Sequence, residues 1–378
     1  MTKKTRLLPL IVVPFCLTSC GKVSDYKDSE NLKKYVFEME YHQNFNILQL
    51  TDIHWNINSS TYESKQYMSK VIAEADAHVK ATQGASAKID LVELTGDMFM
   101  LSNSYEVTDF VKFFEKKSEE YGFKYASIWG NHDRHGQYHP NWLADQFRKA
   151  KNSLYYEPND NLYGRSNFMI NLKDGTNVKW QIANLDSGAS FSESPLSPFR
   201  DYDYIREGQI EWWELEHAAA GASVPGIAYY HIPQDENLKL WNRVQSGEAL
   251  KNKFFKLEDF ADNGNEKYAS NFLDEASKHN LKGAFMGHAH NVDWTVQDTD
   301  GLIVGLGVKT GIELYYAHID TASTDPAMQS GLASVGITEN FDLIGASLVT
   351  ITDDANFDLE HLYLNERASG DFVSWVKF

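Results

Sequence analysis

Apolar and polar positions change period along this chain, and the changes mark alternating strands and helices. Residues 35–40 alternate, and the apolar run 46–50 follows a short polar turn at 42–44, which together predict an opening hairpin. Val71, Ile72, Ala75 and Val79 recur at helical spacing and predict a helix over about 62–83. A near-continuous apolar run over 89–94 reads as a strand covered on both faces. A helix over 107–120 places Phe110, Phe113 and Phe114 on one side, and a strand follows over 124–129. Strand, helix, strand, helix is the order of an α/β fold.

Past Pro140 a helix carries Trp142, Leu143 and Phe147, and strands over 162–172 and 178–185 flank the turn Lys173-Asp174-Gly175. Residues 187–206 show no period and hold two Ser-Pro turns and the string Asp201-Tyr202-Asp203-Tyr204, so they read either as a functional rim or as a solvated excursion. A helix over 207–220 leads to a strand over 226–230; helical segments occupy much of 234–280, and a strand runs over 282–286. The remainder, 292–378, alternates in the manner of strands, including 345–351, and suits a second sheet packed on the first.

Polar clusters stand at the ends of the predicted strands. They are Asp52-Ile53-His54, Gly96-Asp97, Gly130-Asn131-His132-Asp133, His231 before Ile232-Pro233, and Gly287-His288-Ala289-His290. Any one of them alone is a glycine turn carrying polar residues; together and in order they form a set. Their acids, histidines and amide, with no thiolate, are donors that suit Mn, Fe, Zn or Co better than a soft metal, and they are too rich in nitrogen for Ca.

This ordered set resembles the calcineurin-like metallophosphoesterases over roughly residues 43–315. The resemblance implies a four-layer αββα sandwich of two mixed sheets flanked by helices. It implies two transition-metal ions, one held by Asp52, His54 and His290 and the other by Asn131, His231 and His288, with Asp97 bridging. It further implies hydrolysis of phosphoric esters, most readily monoesters, by a hydroxide shared between the ions that attacks phosphorus in line. His132 would protonate the leaving oxygen, with Asp133 beside it. Within the superfamily, His231-Ile232-Pro233 and the run 304–315 resemble purple-acid-phosphatase-like phosphatases that lack the metal-binding tyrosine.

The chain departs from that pattern in places. Met98-Phe99-Met100-Leu101 stands where the calcineurin branch continues with Asp-Arg-Gly, so the group that orients His132 is open, Asp133 being one choice. Arg165, Arg200, Arg206 and Lys309 are candidate phosphate clamps, and His135 and His139 candidates for the mouth of the site. His78, His217, His279, His318 and His361 lie away from every block and are read as ordinary surface or core residues. A phosphodiesterase of the same fold, and a surface lipoprotein that binds without catalysing, are the competing readings.

Composition adds a compartment. Lys3, Lys4 and Arg6 precede an apolar stretch too short to span a bilayer, and Leu17-Thr18-Ser19-Cys20 resembles a bacterial lipobox. Residues 1–19 are therefore expected to be an export signal, Cys20 the lipidated residue, 20–34 a solvated tether and 35–378 a single phosphoesterase domain. That predicts attachment to the outer face of the cell membrane or within a cell envelope. Cys16 and Cys20 are the only cysteines, so the mature chain has no disulfide. A formal net charge of −18 repels polyanions and argues against nucleic-acid binding, which leaves a phosphorylated small molecule as the expected partner.

Overall fold

The computed structural model describes residues 36–56, 61–134, 140–157, 162–191, 201–255, 270–366 and 370–378. The expected export signal, Cys20 and the whole tether, together with His135, His139 and Arg200, lie outside the described residues. The chain opens with β1 (Val36–Glu40), β2 (Phe45–Leu50), α1 (Thr61–Gln83), β3 (Leu91–Thr95), α2 (Ser104–Tyr121), β4 (Lys124–Ile128), α3 (Pro140–Lys149) and β5 (Ser153–Leu154). There follow β6 (Phe168–Asp174), β7 (Asn177–Asn184), β8 (Ser190–Phe191), β9 (Asp201–Tyr202), α4 (Glu207–Ala220), β10 (Gly226–Tyr229), α5 (Asp235–Gln245), β11 (Lys251–Lys253), α6 (Phe272–Lys278) and β12 (Leu281–Met286). The last part holds β13 (Thr295–Gln297), β14 (Ile303–Leu306), β15 (His318–Ile319), α7 (Pro326–Val335), β16 (Phe341–Ile351), β17 (Phe357–Glu366), β18 (Asp371–Phe372) and β19 (Val376–Lys377).

Two mixed sheets result. One has the order β1-β6-β7-β10-β12-β14-β13-β11; the other runs β18-β17-β16-β2-β3-β4-β5, with β15 on β16 and β19 on β17. Parallel neighbours β2, β3 and β4 form the middle of the second sheet, and β7, β10, β12 and β14 the middle of the first. Helices α1 to α3 pack on the second sheet and its neighbours, α4 and α6 on the first. This is the α/β architecture of two mixed sheets flanked by helices that the resemblance implied.

Local sequence explains the helices that hold the sheets. On α2, Val107, Phe110 and Phe114 are buried at helical spacing against the β3–β4 side. Its first turn is capped by the Asn103 side chain, which accepts from the Tyr105 and Glu106 amides, and it stops at Gly122, whose φ of 79° only glycine adopts freely. Between the sheets, rings fill the space: Phe285 packs edge-on against Phe357, and Trp180 does the same from β7.

Three sequence expectations are corrected. The opening hairpin does not form: β1 pairs with β6 in one sheet and β2 sits in the other. Both edges of β2 are taken, by β3 and β16, and its residues are all buried, whereas the half-exposed β1 suits a sheet edge. The stretch read as helical over 234–280 contains the short edge strand β11, whose lysines gave no apolar period. The strand-like tail contains α7, announced by Asp325-Pro326: the Asp325 side chain accepts from the Met328 amide and proline takes the first helical position.

Candidate metal centre

The polar clusters emerge from the C-terminal ends of five parallel strands drawn from both sheets, the edge where open α/β sheets gather their ligands. β2 leads to Asp52 and His54, β3 to Asp97, β4 to Asn131 and His132, β10 to His231, and β12 to His288 and His290. Each chain turns sharply as it leaves its strand. Asp52, His54, Asp97 and His288 all have left-handed backbone, with φ of 52°, 49°, 49° and 77°. Such conformations cost non-glycine residues roughly 1–3 kcal/mol each and persist only where the surroundings impose them.

The surroundings do so here. The Asp52 and Asp97 loops stay laddered past their strands: His54 donates its amide to the Asp97 carbonyl at 2.9 Å, and Trp55 its amide to that of Met98 at 2.8 Å. A Cβ on Gly96 would run into the His231 ring, one on Gly130 into Asp97, and one on Gly287 into Thr51 and Asp52. Glycine stands at these positions because donor side chains pack directly on its backbone. The 3₁₀ turn His132–Arg134 is held by Asp133, whose carboxylate accepts from the Gly130 amide at 2.8 Å and the Phe99 amide at 3.1 Å.

The donors meet in two groups. Asp52, His54 and His290 offer atoms within metal-ligand reach of one another, and so do Asp97, His231 and His288. Asn131 joins the second group through its Oδ1, 3.2 Å from His231 Nε2. Asp97 faces both: one oxygen lies 3.4 Å from His231 Nε2 and the other 3.8 Å from His54 Nε2. His54 Nε2 and His290 Nε2 approach to 3.1 Å, and Asp52 Oδ1 lies 3.3 Å from His290. His132 gives its backbone amide to Asp97 at 2.7 Å, and its ring stands edge-on to His54, 4.8 Å between centres.

Outer contacts aim several of these groups. The Thr95 carbonyl accepts from His231 Nδ1 at 2.9 Å, which turns Nε2 toward Asn131 and Asp97. Asp52 Oδ2 accepts from the Thr51 hydroxyl and the His288 amide, both at 2.8 Å. Lys309 is buried with its Nζ donating to the Asp52 carbonyl at 2.7 Å.

Burial and crowding set the charges. Burial raises the Asp52 and Asp97 carboxyls, but the surrounding imidazoles outweigh it and hold both well below the usual carboxylate range. Burial opposes charge on His231 too, and Asp97 and Asp52 override it, pushing the ring up to about 9. Burial takes His288 down to about 4 and His54 well below its ordinary value. It lowers Lys309 to about 8, and raises Asp133, with Asp97 nearby, to about 7.

These groups fit cations. Asp52 Oδ1 is buried without a hydrogen-bond partner, and imidazole nitrogens and carboxylates converge where water cannot screen them. Oxygen and neutral-nitrogen donors of this kind suit divalent first-row metals, with Asp52, His54, His290 and Asp97 facing one position and Asp97, Asn131, His231 and His288 the other.

The remaining candidates fall elsewhere. Arg165 is engaged by Glu157 and, at 2.8 Å, Asn141; Arg206 pairs with Asp203 at 2.8 Å and lies over the Tyr163 and Tyr204 rings. Lys309 alone of the described clamp candidates touches a donor loop. Asp133, one choice for the group that orients His132, has each oxygen on a backbone amide and holds the turn that presents it. Sequence reading passed over Arg134, which pairs with Asp186 and lies over Trp129, although it directly follows the Gly130–Asp133 block. Tyr202, in the stretch read either as a rim or as an excursion, and Tyr315, given no role, have rings that pack on His288 at 4.2 Å and His290 at 4.8 Å.

No curated protein matches the chain. Among solved structures it is similar to a sulfate thiohydrolase, SoxB, from Thermus thermophilus, in complex with glycerol, with 9% identity and a TM-score of 0.38 over 90% of this chain and 57% of that one. It is similar also to a protein serine/threonine phosphatase from Saccharomyces cerevisiae with similarity to human phosphatase PP5, with 11% identity and a TM-score of 0.33 over 86% and 82%. Likenesses that loose carry no structural argument. Residues 45–292 match the calcineurin-like phosphoesterase family, a span that takes in every donor from Asp52 to His290. On that match, which covers more than half of its length, the chain belongs to the calcineurin-like phosphoesterases.

Proposed function

We propose that the protein is a dinuclear metal-dependent phosphomonoesterase. The observation that carries this reading is the meeting of two donor groups about a shared carboxylate, Asp97. When bound, two ions of the Mn, Fe, Zn or Co class lower the pKa of water toward neutrality and clamp the oxygens of an in-line displacement at phosphorus. The protein's own residues supply position and protons. Asp133 holds the turn that presents Asn131 and His132, and the amide of His132 on Asp97 keeps its ring beside the donor cluster. From there His132 delivers a proton to the leaving oxygen of the ester. The preference for monoesters, and for the purple-acid-phosphatase-like branch that lacks the metal-binding tyrosine, rests on the motif resemblance. The lipobox at Cys20 supports export and lipid anchoring.

Replacing His132 tests the mechanism. For H132A, turnover of an alkyl phosphate is expected to fall by about 10²–10⁴, the usual worth of a positioned acid, with much less loss on p-nitrophenyl phosphate and unchanged metal content. Equal losses on both esters would remove His132 from proton transfer. Faster hydrolysis of bis-p-nitrophenyl phosphate than of the monoester would make the protein a diesterase of the same fold.

A further inference from the structure

Two tyrosines stand over the donor cluster, one on each side. The Tyr202 ring meets His288 edge-on at 4.2 Å, and the Tyr315 ring lies tilted on His290 at 4.8 Å. His288 belongs to one donor group and His290 to the other, so an aromatic ring flanks each half of the site. We propose that Tyr202 and Tyr315 form an aromatic clamp that selects phosphate esters whose alcohol half is an aryl ring, an inference that rests on the phosphoesterase reading above.

Both rings are held from behind. Tyr202 pairs with Ser190 in the β8–β9 ribbon, and the next residue, Asp203, is buried, donates its amide to Ala189 and accepts from Arg206. The segment leading to Tyr315 is tied to the first donor loop: Thr310 donates to the Thr51 carbonyl at 2.8 Å and Gly311 to that of Asp52 at 3.2 Å. A Cβ on Gly311 would overlap the Ile53 carbonyl, so the two loops lie in direct backbone contact. Ile312 is buried behind them, while Tyr315 itself is 63% exposed.

Leu314 and Tyr315, on the segment tied to the first donor loop, are both exposed large apolar residues. Apolar groups beside the donors point to an organic partner rather than to bare phosphate. Planar rings suit the tyrosines specifically, because aromatic pairs gain from edge and offset stacking beyond the area they bury.

The test compares phenyl phosphate with methyl phosphate on the full-length, metal-loaded protein. For Y202A and Y315A, the ratio of kcat/KM on phenyl phosphate to that on methyl phosphate is expected to fall roughly two- to tenfold relative to wild type, about the worth of one aromatic contact. Each variant is compared with wild type on the same ester, so the intrinsic reactivity of the leaving group cancels. Y315F, which keeps the ring and drops the hydroxyl, should hold the wild-type ratio. Inhibition by phenylphosphonate against methylphosphonate provides a second readout that does not depend on turnover, with the same ratio expected to shift. If wild type hydrolyses both esters and the ratios stay fixed, the clamp is overturned and the phosphoesterase reading stands. If wild type hydrolyses neither with Mn, Zn or Fe supplied, both fall.

Discussion

Among the described residues, two places bury both an aspartate and the histidine against it, and they use the pair differently. At the donor cluster, Asp52 Oδ1 has no hydrogen-bond partner, two imidazole Nε2 atoms face each other at 3.1 Å, and four of the residues have left-handed backbone. Three residues past His290, Asp293 reaches the opposite sheet. There its Oδ2 receives His361 Nδ1 at 3.1 Å and the Tyr363 hydroxyl at 2.7 Å, and Phe254 stacks on the His361 ring at 3.9 Å. Among the described residues no third metal-ligating group joins Asp293 and His361. An unpaired carboxylate oxygen is common to both, since Asp293 Oδ1 is also buried without a partner. What differs is that the first arrangement crowds several imidazoles and carboxylates together, whereas the second sets Asp293 Oδ2 against two donors and ties the β12–β13 connection to β17. Burial of Asp with His is therefore not in itself a sign of metal, whereas crowded acceptors on strained backbone are.

That contrast can be broken most forcefully at Asp97. D97A is expected to lose bound metal and to drop phosphatase turnover by more than the roughly 100-fold that loss of an outer partner costs. Elemental analysis showing two ions retained would erase the distinction. At the other cluster, H361A should cost about 3 kcal/mol in urea unfolding, because a buried carboxylate loses a donor and the ring leaves a void. Metal per folded chain should stay the same; a parallel fall would make Asp293 and His361 part of the site.

A third buried acid sharpens the comparison because its polar neighbour is the Asn184 amide rather than an imidazole. Burial raises Glu93 on β3 to about 8, with the Asn184 amide offsetting part of the rise. The native chain then keeps a proton that the unfolded chain releases above about 4.5, so stability should fall as pH rises from about 4.5 to 8 and level off beyond. Glu216 and Glu236, raised to about 8 and about 7 chiefly by burial, act in the same direction. E93Q should flatten that slope and gain a few kcal/mol at pH 8 in denaturant titrations, with little change at pH 5. The smallest expected effect is T51V: it removes the hydroxyl on Asp52 Oδ2 and should weaken metal binding by roughly tenfold in a competitive chelator titration, without unfolding the chain.

Three of the five donor loops were legible because each joins a glycine that must lack a side chain to a residue type that must donate. Gly96, Gly130 and Gly287 show the first demand directly. The strands of the two sheets could also be read, since β3 is apolar apart from Glu93 and Thr95, β12 apart from Lys282, and β6 and β7 flank an obvious turn. What could not be read were pairings across long separations. β1 and β2 look like a hairpin because nothing local says that β16, some three hundred residues on, takes the free edge of β2. Asp293 and His361 likewise carry no mark of each other, and the rims bearing Tyr202 and Tyr315 have no period to announce them. Arg165 and Arg206 looked available as clamps although their acidic partners are near in sequence, Glu157 eight residues before Arg165 and Asp203 three before Arg206, because no helical period there announces the pairing.

The placement of β16 bears on how this chain can be made. All seven proposed ligands have been synthesised once His290 is translated, yet β2, which leads to the first of them, still has one bare apolar flank until residues 347–351 arrive to cover it. A nascent chain halted in between would hold every ligand and an open β edge at once, a state prone to stick to its neighbours. Trimming the protein to its catalytic motifs should therefore yield aggregate rather than a minimal hydrolase.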